Sequence, residues 1–153
     1  LAWFGMDRSG PRDQEIEAPG FKLHMNAIAA AMGLAGLEGL DDALAACRRN
    51  ATIYRGALGG RDVLEGASPW TWTVFVENPA DFIAYMHGHG VTVGQPHRRN
   101  DANDFAASTR RSLPGVDFAQ AHYCSIPVGW WVDAAEAARI AGLVSAFPGL
   151  LRL

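Results

Sequence analysis

The sequence has almost no lysine: of 13 basic residues that are Lys or Arg, Lys22 alone is a lysine. It has only two cysteines, no long apolar run and no block of one charge. Each scarcity excludes something. The basic side chains come singly or as separated pairs (Arg48-Arg49, Arg98-Arg99, Arg110-Arg111), and the formal net charge is -3, so no basic stripe exists to make nucleic acid the main partner. No segment approaches the roughly 18 apolar residues of a membrane span, so a soluble, cytoplasmic protein is expected. Cys47 and Cys124 form neither a CxxC pair nor a disulfide framework, which reads as two reduced thiols. The first residues show no basic region followed by an apolar one, and the chain opens on Leu1, as a truncated frame or a processed piece would.

What is present is globular. Hydrophobic residues make up 49% and charged residues 19%, a balance that supports a buried core. The length of 153 residues suits one domain, or the end of one domain followed by a smaller one. Asn26 is placed to cap an Ala-rich helix ending near Gly39. Asp41 is placed to cap a second helix, whose Leu44, Cys47, Ala51, Tyr54 and Leu58 share one face, with Arg48, Arg49 and Arg55 on the other. Gly59-Gly60 stops that helix and is the expected boundary between residues 1–59 and 60–153.

Trp70 to Glu77 reads as a strand, and Asn78-Pro79 starts a helix with Phe82, Ile83 and Met86 inward. Val91 to Val93 reads as the next strand, giving a small α/β layer. Gln95 to Pro114 lacks periodicity and reads as a long loop or short elements around a site. Asp133 with Glu136 opens a terminal helix carrying Ile140, Leu143, Val144 and Phe147, which Pro148-Gly149 ends.

Four places concentrate polar or unusual side chains. Lys22 and His24, just before the first helix, suit an anion such as phosphate, or a solvated loop. His97, Arg98, Arg99, Asn100 and Asp101 crowd an imidazole, two guanidiniums and a carboxylate after an expected strand; forked Arg donors suit carboxylate or phosphate, and a charged surface turn is the other reading. His87 and His89 lack the further ligands a zinc site needs, so no metal is expected. Ser125 to Trp131 (SIPVGWW) reads as a tight aromatic turn, more a matter of packing than of binding. Ser125, His97 and Asp101 do not make a hydrolase, because no GxSxG elbow accompanies them.

In chain order, WFGMDR (Trp3 to Arg8), GFKLHMNAIAAAMGLAGLEGLD (Gly20 to Asp41), RRNATIYRGAL, HRRND, LPG and SIPVGWW resemble the second half of the DegT/DnrJ/EryC1/StrS aminotransferases. The resemblance implies an α/β fold, the C-terminal part of an aspartate-aminotransferase-like type I enzyme with an α+β small domain. Residues 1–59 would close the large cofactor domain and 60–153 would form the small one. It implies pyridoxal 5'-phosphate as cofactor, a homodimer in the full-length form, and transfer of an amino group from glutamate or glutamine to a nucleotide-linked keto-sugar in amino-sugar biosynthesis.

It further implies that Lys22 and His24 approach the cofactor phosphate of the neighbouring subunit, with Lys22 standing where many relatives have Asn. His97, Arg98, Arg99, Asn100 and Asp101 would face the substrate. The transamination chemistry needs a lysine amine, first to form the Schiff base and then to carry the proton. In the family that lysine lies tens of residues upstream of the segment that holds Lys22. The expectation is therefore an enzyme piece without activity of its own; the alternative is a non-catalytic module that binds a sugar nucleotide or another anion.

Overall fold

The computed structural model describes residues 25–60, 66–97, 99, 101 and 111–152. The chain divides into two compact units, residues 1–40 and 41–153. In the first, helix α1 (Ala27–Glu38) begins where the Asn26 side chain accepts from the Ala29 amide at 2.8 Å, as its sequence position leads one to expect. None of its residues is buried, and Met25, Ile28, Met32, Leu34 and Leu37 are each at least 62% exposed.

The second unit begins with α2 (Leu40–Leu58), which has Asp41 and Asp42 in its first turn, where the positive end of the helix dipole favours them. Cys47, Ala51 and Tyr54 are buried as the spacing demands, and Asn50 is buried beside them. These apolar side chains join the core that covers the sheet within the second unit. Gly59 and Gly60, with φ of 78° and 107°, end the helix in the left-handed region that favours glycine.

Three antiparallel strands form the sheet in the order β2-β1-β3: β1 (Thr71–Val76) lies between β2 (Tyr123–Pro127) and β3 (Leu150–Leu151). Thr71 pairs with Pro127 and Phe75 with Tyr123 on one side, and Val76 pairs with Leu150 on the other. Val74 and Val76 alternate inward, against α3 (Pro79–Gly88) with its Phe82 and Met86, and α5 (Ala134–Ala146) with its Ile140 and Val144. α3 starts as expected, with Asn78 as cap and Pro79 in its first turn. At α5, Asp133 accepts from the Glu136 amide at 2.7 Å, but Glu136 turns to Arg139 at 2.6 Å, so only half of the expected capping box forms.

Two expectations are corrected. Val91 and Val93 are buried, yet the segment makes only one isolated bridge, Gly94 to Ser125, and is not a strand. Pro96 follows with no N–H to extend a ladder. The segment read as an aromatic turn from Ser125 onward is a strand as far as Pro127, and the turn is confined to its second half, where the Val132 amide bonds the Gly129 carbonyl at 3.0 Å. Trp130 and Trp131 stand exposed at that turn with their rings edge to face.

Candidate substrate-binding loop

The polar loop grows out of the sheet's edge. Gly94 and Ser125 exchange two backbone hydrogen bonds, of 2.7 and 3.3 Å, and the Gln95 side chain donates to the Gln120 carbonyl at 3.1 Å. Tyr123, buried on β2, then uses a single hydroxyl twice. It accepts from the His97 amide at 2.6 Å and donates to the His97 carbonyl. The backbone of His97 is thereby fixed while the residue is exposed and its ring stands edge-on to Trp70 at 5.7 Å.

Arg99 is the most engaged side chain of the loop. Its side chain is 6% exposed, and the guanidinium grips Asp101 through two parallel bonds of 2.7 and 2.6 Å. A third donor meets the Asp117 carboxylate, and a fourth reaches the Arg111 carbonyl at 3.1 Å. The Arg99 amide donates to the Gln120 side chain at 2.8 Å. The hydrogen bonds it donates to Asp101, against a smaller desolvation penalty, raise the guanidinium's pKa above its ordinary value and keep it charged throughout.

Asp117 and Gln120 belong to α4 (Pro114–His122), a helix whose start has no side-chain cap at Leu113. Asp117 supplies the missing order in reverse, accepting from the Leu113 amide at 3.3 Å. This helix is not among those expected from the sequence, although Pro114 in its first turn and an acid three residues later could have signalled it. Nothing in the sequence marked Gln120 or Tyr123 as partners of the loop.

Of the candidate residues, His97, Arg99 and Asp101 therefore stand together on a neck held by α4 and β2. Arg98 and Asn100, and the cofactor candidates Lys22 and His24, lie outside the described residues. His89 directs Nδ1 to the Tyr85 carbonyl at 2.8 Å, and among the described residues no group of three His, Cys, Asp or Glu side chains is placed to hold a metal. No helix among the described residues is long and apolar enough to cross a membrane.

Solved structures with this fold include sugar aminotransferases. The chain is 29% identical to the sugar aminotransferase CalS13 from Micromonospora echinospora, with a TM-score of 0.72, covering 95% of this chain and 42% of that one. With AtS13 from Actinomadura melliaura the identity is 30% and the TM-score 0.70, over the same shares of 95% and 42%. The fold is also that of DesV from S. venezuelae, solved in complex with a ketimine intermediate, at 16% identity and a TM-score of 0.68 over 88% of this chain and 40% of that one.

The fold thus has the class expected, the C-terminal part of an aspartate-aminotransferase-like enzyme with an α+β small domain. The chain belongs to the DegT/DnrJ/EryC1/StrS aminotransferase family, whose model matches residues 1–139. It spans about two-fifths of the length of the solved relatives. Among curated proteins there is no significant match.

Proposed function

We propose that this chain is the part of a pyridoxal-phosphate-dependent enzyme that receives a nucleotide-linked keto-sugar for amination by glutamate or glutamine, working as a homodimer. The observation that carries the reading is the likeness to CalS13, named a sugar aminotransferase, along 95% of the chain. The His97 to Asp101 segment is its substrate side. Lys22 and His24 are its contribution to the cofactor phosphate.

Pyridoxal phosphate, when bound, supplies the electron sink and the amino-group carrier, and its covalent attachment requires a lysine amine. The described residues do not fit that attachment: they contain no lysine, and Lys22 lies outside them. We assign this chain binding and orientation, and the covalent step to the part of the relatives' length that it does not span. The chain by itself is then inactive. Borohydride reduction with pyridoxal phosphate and peptide mapping should find no specific adduct at Lys22. Joining the chain to the part of CalS13 that it does not span should restore glutamate-dependent amination of a nucleotide-linked keto-sugar. A chimera that folds and binds the cofactor yet ignores such sugars would overturn the reading.

A further inference from the structure

A guanidinium has five N–H donors, and four of those of Arg99 go to oxygens of this chain: two to Asp101, one to Asp117 and one to the Arg111 carbonyl. Its acceptors come from both ends of the 99–111 segment and from α4, while the Arg99 amide is tied to Gln120. An arginine that met a ligand phosphate in the usual bidentate way would have to release Asp101, Asp117 or the Arg111 carbonyl first. The geometry points to Arg99 as a positioning residue, a clasp that ties Asp101 and the Arg111 backbone to α4, and not as a ligand contact. This rests on the substrate role proposed above for the His97 to Asp101 segment, and it removes Arg99 from direct contact with the sugar nucleotide.

The two roles give opposite signs in one experiment on the 153-residue chain, with UDP as the probe. Asp117→Asn keeps an oxygen for the Leu113 amide and removes one negative charge from beside the guanidinium. If Arg99 were the anion contact, freeing it would tighten UDP binding. As a clasp, its loosening weakens UDP binding by about tenfold with the unfolding midpoint unchanged. Arg99→Lys keeps the charge but not the planar fork, so amides of the 95–101 and 111–120 segments should exchange hydrogen about tenfold faster, with β1 and α5 unaffected. Tighter UDP binding by Asp117→Asn, or unchanged exchange in Arg99→Lys, overturns the clasp. Faster exchange in Arg99→Lys, with no UDP bound by the parent chain, supports the clasp and instead removes the substrate role of the loop.

Discussion

Asn50 on α2 donates its side-chain amide to the carbonyl of Val128, 3.0 Å away at the end of β2. The same amide reaches the Val132 carbonyl at 2.8 Å and the Gly129 carbonyl at 3.3 Å, so one wholly buried side chain organises the turn that carries the two tryptophans. Arg49 holds the arrangement from outside, donating to the Asn50 oxygen and, at 3.2 Å, to the Val132 carbonyl.

Replacing this amide should be expensive. Asn50→Leu leaves buried carbonyls without a donor, a loss of about 2–4 kcal/mol in urea unfolding. Asn50→Asp, which sets a carboxylate against three carbonyls, should be worse. A loss below about 1 kcal/mol for both would show the turn to be held by other contacts.

Stability should fall in alkali. Burial pushes the Cys124 thiol up from 9.0 to about 11, and burial, with the Glu136 charge adding to it, raises the Tyr54 hydroxyl well above its ordinary 10.0. Between pH 9 and 11 the unfolded chain gives up the Cys124 proton while the folded chain keeps it, so unfolding is favoured as pH rises. Tyr54 acts in the same direction above pH 10. Urea midpoints should be lower at pH 10.5 than at pH 8. Tyr54→Phe should cost about 1 kcal/mol at neutral pH, through its lost bond to the Pro127 carbonyl, and reduce that dependence.

Both thiols should be silent in the native state. Cys47 and Cys124 are free and buried, so a disulfide-exchange reagent at pH 8 should modify neither until denaturant is added. Rapid titration of Cys124 without denaturant would mean that β2 opens far more readily than its packing implies.

The exposed apolar surface of α1 should bind an environment-sensitive dye. Ile28, Met32 and Leu34 are all exposed, a large hydrophobic area for one short helix. Bright dye fluorescence from the folded chain is expected, with clear dimming in an Ile28→Lys, Met32→Lys double variant whose helicity is retained.

The readable parts of this fold were those whose physics is local. Asn26, Asn78 and Asp133 each cap a helix with a side chain next in sequence, and Tyr54 and Cys47 follow the helical repeat. β2 was hidden because four of its five residues are buried, so the alternation that reveals a half-exposed strand is absent, and Ser125 and Pro127 read as turn residues. Nothing local marks Asn50 as a buried residue, because its acceptors come from the chain 78 or more positions later. The loop was legible as a concentration of charge, but its internal pairing was not. That Arg99 would be absorbed by Asp101 and Asp117 depends on where α4 lies, and α4 lacks the side-chain cap that would have announced it.

The order of the strands has a kinetic consequence. β1 joins β2 only after the chain from Val76 to Tyr123 has closed on itself, and β3 comes later still in sequence. Loop closure must therefore precede most of the sheet's reward, which sets refolding on the order of milliseconds to seconds instead of microseconds. Helices α2, α3 and α5 are free to form early. Mutations at the β1–β2 seam should slow refolding where they act at all, whereas the loss of Asn50, which fastens a turn built after that seam, should appear mainly as faster unfolding.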